Sequence, residues 1–400
     1  MNPILRKLMD AGARPERVIL GLISGTSADS IAVAICRIRG GGVPGPGRTG
    51  AAVELIHEHD HPYDPHVKLQ VLRAGDLKTR EVAELNVRVG ELFAEACLAA
   101  IAAAGLSPND VDLIGSHGQT LYHHSSIPGA PRATLQVGDG DEIAERTGIT
   151  VVSDFRTRDV AAGGEGAPLT AFTDTILFAP RDGETTRRVI LNLGGIANVT
   201  ILDSDPEHVY GFDTGPANAL LDRLAIRISG GALACDLDGR IARSGTIREP
   251  LLESLLRDDP FLSRKPPKST GFEMYGDAFL DRAIALHGHA DADLMATLTE
   301  FTARTITLAL RQFTPAGGVD ELVVAGGGVR NPALLDRIKS NAFPIRVRLS
   351  DELGVPISAR EAMGFAVLAH EALLGHPTSL PSVTGARRAA TLGKWSYASS

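Results

Sequence analysis

The 400-residue sequence is poor in aromatic residues and in cysteine. Aromatic side chains make up only 4% of it, which argues against the stacking platforms that bind single-stranded nucleic acid. Its cysteines, Cys36, Cys97 and Cys235, are odd in number and widely scattered, so they predict neither a disulfide framework nor a zinc site. We expect three reduced and mostly buried thiols.

Long apolar runs and long basic runs are also missing. No uncharged apolar stretch approaches the ~18 residues that a membrane helix requires. Residues 1–20 show neither an apolar stretch of signal-peptide length nor an obvious cleavage site. The formal net charge is −8, which does not favour nucleic acid or an acidic membrane as a partner. We therefore expect a cytoplasmic protein, in which a local site can still bind an anionic small molecule.

Apolar residues, glycine and proline are plentiful. The apolar fraction of 44% is sufficient for well-buried cores, and 400 residues favour two domains over one. The 43 glycines and 23 prolines indicate many tight turns, as in α/β enzymes.

Two similar patterns occur along the chain. Short β-rich runs at residues 18–23, 31–37 and 53–59 predict an antiparallel meander, followed by a helix over residues 79–104. A second strand–turn–strand pattern begins about 170 residues later, at residues 187–202. The repetition indicates a duplicated architecture.

Three small-residue turns follow apolar strands: "SGTSADS" (24–30), "LNLGGIANVT" (191–200) and "VVAGGGVRNPALLDRI" (323–338). Backbone N–H groups in such turns can hold phosphate, and Asp29 can hold a water on Mg²⁺. Each turn alone is also open to interpretation as an ordinary tight turn. The sequence contains no P-loop "GK[ST]", and the third turn lacks the dinucleotide-binding spacing.

A carboxylate lies in the segment "GFDTGPANALLD" (211–222). Asp213 follows an apolar run and precedes Gly215 and Pro216, which predict a turn before a helix. A carboxylate at the mouth of a cleft can act as a general base toward water or a sugar hydroxyl. Alternatively, Asp213 caps the following helix.

Three polar loops are predicted after apolar strands: "SHGQT" (116–120), "SDFRTRD" (153–159) and "GGEGAPL" (163–169). They contribute His117, Gln119, Arg156, Arg158, Asp159 and Glu165. Such donors suit a sugar ring, and an arginine can hold a carboxylate with two hydrogen bonds. Any one of them alone would be interpreted as a solvated loop residue. Together with the turns and Asp213, they favour a nucleotide-dependent phosphotransferase.

These motifs, with "PKSTG" (267–271), "EAMGFAVLAH" (361–370) and "VTGA" (383–386), occur in the order found in anhydro-N-acetylmuramic acid kinases. The resemblance runs from about residue 18 to 394. It implies an α/β, two-domain actin/hexokinase-like (ribonuclease H-like) fold with mixed sheets and an interdomain ATP cleft. We assign residues 17–149 and 360–400 to domain I and residues 150–359 to domain II. The resemblance also suggests a homodimer.

The resemblance implies a role for each motif. Asp213 resembles the base that activates water for attack on the anomeric carbon of a 1,6-anhydrosugar, while the released O6 takes the γ-phosphoryl group of ATP. The expected product is N-acetylmuramate 6-phosphate. The expected nucleotide-binding residues are Gly25, Thr26, Ser27, Asp29, Ser30, Gly194, Gly195, Gly326, Gly327 and Gly328, with Asp29 also near Mg²⁺. The expected sugar-binding residues are His117, Gln119, Arg158, Asp159, Glu165 and Glu361.

Three positions depart from the family pattern. Ser30 and Ala32 replace a glycine and an aspartate in the first motif, and Glu165 replaces a glutamine. A negative charge at position 165 would repel a substrate carboxylate, which leaves open a neutral anhydrosugar such as levoglucosan. The changes at 30 and 32 leave open a non-catalytic sugar or nucleotide sensor.

Overall fold

The computed structural model describes residues 3–25, 28–44, 50–124, 130–180, 186–203, 205–314 and 318–398. Two of the expected nucleotide-binding residues, Thr26 and Ser27, lie outside the described residues. The chain divides into two compact units. The first unit contains residues 1–179, 203–209 and 354–400, and the second contains residues 180–202 and 210–353.

The described residues form strands and helices that include two groups of three consecutive strands. The strands are β1 (Glu16–Ser24), β2 (Ser30–Arg39), β3 (Ala52–Pro62), β4 (Leu113–His124), β5 (Ala133–Val137), β6 (Val151–Ser153), β7 (Arg188–Leu193), β8 (Ile196–Ile201), β9 (Tyr210–Pro216), β10 (Glu321–Ala325), β11 (Arg346–Leu349) and β12 (Lys394–Ser396).

The α-helices are α1 (Pro3–Ala13), α2 (Pro65–Leu72), α3 (Thr79–Ala103), α4 (Gly140–Thr147), α5 (Phe155–Ala161), α6 (Thr170–Leu177), α7 (Asn218–Ile228), α8 (Arg240–Ser244), α9 (Glu249–Arg257), α10 (Phe272–Tyr275), α11 (Asp277–His287), α12 (Ala292–Phe313), α13 (Pro332–Ala342), α14 (Arg360–Leu373) and α15 (Pro381–Thr384). Short 3₁₀ turns occupy Ala74–Asp76, Pro108–Asp110, Pro206–His208, Leu237–Gly239, Gly327–Arg330 and Ser350–Leu353. No helix in the described part of the chain is both long and apolar enough to cross a membrane.

The sheet of the first unit has the order β12-β6-β4-β1-β2-β3, and β5 pairs with β4. Strands β1, β2 and β3 form the antiparallel meander expected from the sequence, whereas β4 runs parallel to β1 and β6 runs parallel to β4. Strand β12 closes the edge, with Trp395 opposite Val152 of β6. The first unit also contains residues 150–179, 203–209 and 354–359, which the sequence analysis assigned to the second domain.

The sheet of the second unit repeats the same order, as β11-β10-β7-β8-β9. Strands β7, β8 and β9 are again antiparallel, and β10 and β11 again add in parallel beside the first strand. Two mixed sheets with one topology are the signature of the duplicated actin/hexokinase-like fold. The expected fold class is therefore confirmed.

Packing of α14 on the first sheet depends on two glycines. A Cβ on Gly21 of β1 would lie 2.0 Å from the Ala362 carbonyl oxygen, and a Cβ on Gly115 of β4 would lie 2.2 Å from that of Phe365. Because no side chain fits there, the helix backbone contacts the strands directly. This contact fixes the start of α14, which carries Glu361.

Two local predictions were wrong. His117 and Gln119 lie within β4, which continues to residue 124, because residues 119–124 pair with β5. Arg158 and Asp159 lie on α5, whose N-terminus is capped when the Asp154 carboxylate accepts from the Thr157 amide. The sequence analysis expected loops at both places.

Candidate active site

The first glycine turn continues directly from β1. The Ala28 amide donates to the Gly25 carbonyl oxygen at 3.1 Å, and Ala28 has a φ of +47°. The side-chain amide of Gln119 donates to the same Gly25 oxygen at 3.2 Å, and its own oxygen accepts from the Tyr63 hydroxyl at 3.3 Å. Gln119 is fully buried. Its described contacts therefore shape the turn.

Asp29 follows this turn, and its side chain is 68% exposed. Its Oδ1 lies 2.5 Å from Nζ of Lys68 on α2. An exposed carboxylate has the donor chemistry that Mg²⁺ prefers, so Asp29 fits the expected metal ligand. Lys68 already supplies one positive charge to Asp29. Asp29 directly precedes Ser30, the first residue of β2.

An imidazole–guanidinium pair lies at the start of α5. His117 accepts from Nε of Arg156 at 3.0 Å through Nε2, and its Nδ1 lies 2.9 Å from the Gly118 carbonyl oxygen. These partners require a neutral ring with the proton on Nδ1. Burial, together with the Arg156 charge, lowers the pKa of His117 to about 3. His117 therefore orients Arg156, which also donates to the Gly166 carbonyl oxygen at 2.7 Å.

Asp159 is fully buried and organises the loop of residues 163–168. Its Oδ2 accepts from the Gly166 amide at 2.8 Å, and its Oδ1 accepts from the Thr384 hydroxyl at 2.8 Å. A Cβ on Gly164 would lie 2.2 Å from Oδ2, which explains the glycine there. With both oxygens engaged, Asp159 supports the loop that carries Glu165.

Among the side chains predicted to bind the sugar, Arg158, Glu165 and Glu361 have no hydrogen-bond or ion-pair partner in the described part of the chain. Arg158 and Glu361 are exposed, and Glu165 is half-buried. Burial lowers the pKa of Arg156 to about 10, and the nearby Glu361 carboxylate opposes this shift. Because nothing in the described part of the chain satisfies them, these groups can bind a polar ligand.

The two glycine turns of the second unit lie against each other. Gly326 has a φ of +88°, and a Cβ on it would lie 2.8 Å from the Leu193 carbonyl oxygen. A Cβ on Gly328 would lie 2.6 Å from Cβ of Leu193, while Gly327 is exposed with nothing within 4 Å. The parallel pairing of β7 and β10 brings their carboxyl ends to one edge of the sheet, where Gly194 and Gly195 also lie.

The first amides of α7 are occupied by this edge. The Gly194 carbonyl oxygen accepts from the Asn218 amide at 3.1 Å, and the Gly195 carbonyl oxygen accepts from the Ala217 and Ala219 amides at 3.0 and 3.2 Å. The N-terminus of α7 is thus capped by the turn backbone. Those amides are not available to a phosphate group.

A row of polar residues crosses the same end of the sheet. Asn192 on β7 lies opposite Asn198 on β8, which lies opposite Asp213 on β9. Directly opposite residues share a face of the sheet, and all three are half-buried while Leu191, Leu193 and other sequence neighbours are buried. Two strand spacings, about 10 Å, separate β7 from β9. Asp213 is therefore on the same sheet edge as both glycine turns.

Asp213 is held on one side only. Its Oδ2 accepts from the Ser269 hydroxyl at 2.9 Å and from the Thr270 amide at 2.8 Å, and its amide donates to the Lys268 carbonyl oxygen at 3.1 Å. Oδ1 has no hydrogen-bond partner in the described ranges. The interpretation of Asp213 as a helix cap is wrong, because Ala217 occupies the N-cap of α7.

The environment of Asp213 suits a base. Burial raises the pKa of its carboxyl group above the ordinary value, and the negative charge of Glu273 adds to this shift. The bonds from Thr270 and Ser269 and the charge of Lys268 act in the opposite direction. An anchored carboxylate with one unpaired oxygen and a raised pKa can accept a proton from water near neutral pH.

Ser269 and Thr270 were missed as site residues by sequence reasoning. The segment "PKSTG" was noted only as part of a motif series, although its two hydroxyl residues are typical partners of a carboxylate. The segment lies more than 50 residues from Asp213 in the chain, so no local pattern links them.

The described geometry can be compared with known proteins. A family model described as anhydro-N-acetylmuramic acid kinase matches residues 17–398. A protein of this name from Caldanaerobacter subterraneus subsp. tengcongensis is 40% identical over 397 residues, which cover 95% of this chain and 97% of that protein. Another from Gloeobacter violaceus is 43% identical over 380 residues, covering 94% and 97%.

A third relative of the same name, from Streptomyces coelicolor, is 42% identical over 379 residues, covering 94% of this chain and 92% of that protein. Among solved structures, a ROK family glucokinase from Streptomyces griseus in complex with glucose and AMPPNP covers 88% of this chain and 99% of its own. That glucokinase is 15% identical to this chain, with a TM-score of 0.37. The family model and the sequence relatives span nearly the whole chain, and this chain belongs to the anhydro-N-acetylmuramic acid kinase family.

Proposed function

We propose that this chain uses ATP and water to convert 1,6-anhydro-N-acetylmuramic acid into N-acetylmuramate 6-phosphate. Family membership supports the substrate and the reaction type. The observation that carries the chemistry is the Asp213 carboxylate, with Oδ2 bound by two donors and Oδ1 unpaired in the described part of the chain.

In the proposed reaction, Oδ1 of Asp213 takes a proton from water, and the water oxygen forms a bond to the anomeric carbon. The bond between that carbon and O6 breaks, and O6 keeps the electron pair. O6 then bonds to the γ-phosphorus of ATP, and the bond from this phosphorus to the β–γ bridging oxygen breaks to release ADP. The fixed orientation of Asp213 supports this role, since a positioned base is the main demand of water activation.

The nucleotide is assigned to the glycine turns. Exposed Gly327 can bring backbone close to phosphate oxygens, beside Gly194, Gly326 and Gly328. In the first unit, the turn from Gly25 to Ser30 has the same role, with Asp29 as the residue that would hold Mg²⁺. This ion would supply positive charge to the ATP phosphates. Lys68 adds a cation at this turn.

The sugar is assigned to the unpartnered charges of the first unit. Arg158 can hold the lactyl carboxylate through two hydrogen bonds, while Glu165 and Glu361 can accept from sugar hydroxyls. His117 and Asp159 support these groups through Arg156 and through the loop of residues 163–168. Gln119 supports the Gly25 turn.

A substrate panel tests the proposal. Purified protein is incubated with ATP, Mg²⁺ and, separately, 1,6-anhydro-N-acetylmuramic acid, levoglucosan and N-acetylmuramic acid, and products are identified by mass. We expect the first compound to gain one phosphoryl group and one water. Turnover of levoglucosan alone would favour the neutral-sugar alternative, and binding of ATP and sugar without any product would favour the sensor.

We also propose that the protein is cytoplasmic, as expected from the sequence, and that it is a homodimer, on the basis of the family resemblance. Light scattering coupled to size exclusion tests the dimer against the monomer mass of 42.1 kDa. A mass near the monomer value at micromolar concentration would contradict it.

A further inference from the structure

Lys268 is a buried cation that no carboxylate pairs with in the part of the chain that the structure describes. Lys268 is only 8% exposed. Its Nζ lies 4.5, 4.8 and 5.9 Å from the ring centroids of Phe261, Phe313 and Phe212. Its hydrogen bonds go to the Phe261 and Leu262 carbonyl oxygens, both at the long distance of 3.4 Å. No carboxylate of the described chain lies within ion-pair distance of Nζ.

This arrangement is costly for the fold. Removing an ammonium group from water without pairing it to an anion is unfavourable, and aromatic faces and two long hydrogen bonds offset only part of that cost. Burial accordingly lowers the pKa of Lys268. The negative charges of Asp259 and Asp213 raise this pKa, and the positive charge of Arg264 lowers it further. A methionine of similar length would satisfy the apolar cage better, so packing alone does not explain the lysine.

Lys268 is also the first residue of the segment that holds Asp213. Its own carbonyl oxygen accepts from the Asp213 amide, and the next two residues donate to the Asp213 carboxylate. The side chain therefore anchors one end of a three-residue clasp, residues 268–270. Asp259 fixes the cage in turn, because its carboxylate accepts from the Phe261 amide at 2.9 Å and the Tyr275 hydroxyl at 2.8 Å.

We infer that Lys268 is a positioning residue for the reaction: the ammonium group, caged by Phe212, Phe261 and Phe313, locks the clasp so that only Oδ1 of Asp213 is left for water. Its charge also acts to lower the pKa of Asp213, in the direction opposite to the burial of that carboxylate and the negative charge of Glu273. This inference rests on the proposed function, in which Asp213 is the base.

The test compares Lys268→Met with Lys268→Arg, using Lys339→Met on α13 as the control for loss of an exposed lysine in the same unit. For K268M we expect kcat to fall about tenfold or more while KM for the anhydrosugar changes less than about threefold, since orientation of the base is lost and sugar contacts remain. The acidic limb of its kcat profile should move to higher pH. K268R keeps a cation over the rings. It should recover most of the wild-type kcat and return the acidic limb of the pH profile to near its wild-type position.

Thermal unfolding separates this role from a structural one. K268M should melt at the wild-type temperature or above it, because an unpaired buried charge is removed. If kcat and melting temperature fall together and K268R restores neither, Lys268 is only structural and the inference is overturned. Unchanged kcat in K268M overturns it as well.

Failure of the proposed function would be distinguishable. If the wild-type protein phosphorylates no anhydrosugar, that function fails, and crystal structures of K268M and K268R still decide the positioning claim. We expect the Thr270 amide to Asp213 Oδ2 distance to exceed about 3.5 Å in K268M and to remain a hydrogen bond in K268R. An intact clasp in K268M would refute the anchoring.

Discussion

At the scale of single residues, the asymmetry of Asp213 has the clearest consequence. Its Oδ2 is fixed by Ser269 and Thr270, and its Oδ1 is not bonded within the described ranges. An asparagine fits the same space and can keep its oxygen toward both donors, but it cannot accept a proton at the other position. The change Asp213→Asn therefore removes the base and preserves the geometry.

We expect Asp213→Asn to lower turnover by about 10²- to 10⁴-fold, the usual contribution of general base catalysis. Sugar affinity, measured by calorimetry, should stay within about threefold of the wild type. A coupled assay of ADP release gives the rate. Turnover near the wild-type level would remove Asp213 from the role of base.

Glu165 provides a second test at this scale. Its carboxylate has no described partner and belongs to the loop that Asp159 holds in place. If it lies near the lactyl group of the sugar, its charge repels the substrate carboxylate. We expect Glu165→Gln to raise the ratio of kcat/KM for 1,6-anhydro-N-acetylmuramic acid to that for levoglucosan, by roughly threefold to tenfold for one half-buried charge. An unchanged ratio would place Glu165 away from the lactyl group.

At the scale of secondary-structure elements, the end of β10 lies against the end of β7. Gly326 and Gly328 are required there because any Cβ would collide with Leu193, and Gly326 also has a positive φ. Gly327, between them, faces open space. The three consecutive glycines therefore contain their own control.

We expect Gly326→Ala to destabilise the protein by about 1–3 kcal/mol through backbone strain and displacement of β7. It should also raise KM for ATP, because the phosphate turns move. The free energy of unfolding of Gly327→Ala should lie within about 0.5 kcal/mol of the wild-type value. Urea unfolding compares the stability of the two variants, and equal free energies of unfolding would show that the tight contact is unimportant. ATP titration compares KM of Gly326→Ala with that of the wild type, because Gly327 is itself assigned to the phosphates.

Sequence patterns identified the elements well where one face is buried. The meander of β1 to β3, helix α3 and the repeated unit at β7 and β8 agree with alternation and helical spacing. The same reasoning failed for α5, where "FRTRDVA" has no apolar periodicity and the helix depends on the Asp154 cap. It also ended β4 too early, because pairing with β5 extends the strand through polar residues.

Site residues followed the same division. Asp213 and the glycine turns could be proposed as site residues because carboxylates and glycines after strands are local signals. The clasp of Ser269 and Thr270 depends on contacts across more than 50 residues of chain. The cage of Lys268 also depends on distant residues, since Phe212 and Phe313 lie far from it in the chain. Such contacts are set by tertiary packing, which no single segment encodes.

At the scale of the whole molecule, two buried histidines make stability depend on pH. Burial lowers the pKa of His117 to about 3 and that of His370 to about 4, both below the ordinary value of about 6.5. Between pH 6.5 and 4, the unfolded chain binds a proton at each site and the folded chain does not. The stability that the two neutral histidines contribute is therefore fully present above pH 6.5 and is lost on acidification.

Each histidine should lower the free energy of unfolding by about 1.4 kcal/mol per pH unit across that range. Urea unfolding followed by circular dichroism at pH 7, 6 and 5 measures the slope. His370→Gln can keep a donor to the Gly40 carbonyl oxygen. It should reduce the pH dependence of the free energy of unfolding by the contribution of one histidine. Comparison of the two proteins cancels other titrating groups, such as Asp174, whose pKa burial raises. Equal slopes would contradict a neutral His370.

The sequence contains a single tryptophan, Trp395, on β12 at the edge of the first sheet. Its partner strand β6 leads directly into α5, which carries Arg156 and Arg158. Intrinsic indole fluorescence consequently reports on one half of the duplicated protein alone, without any label. Melting of that half can be timed separately from the other, and a sugar that docks on α5 has a natural optical reporter one strand away.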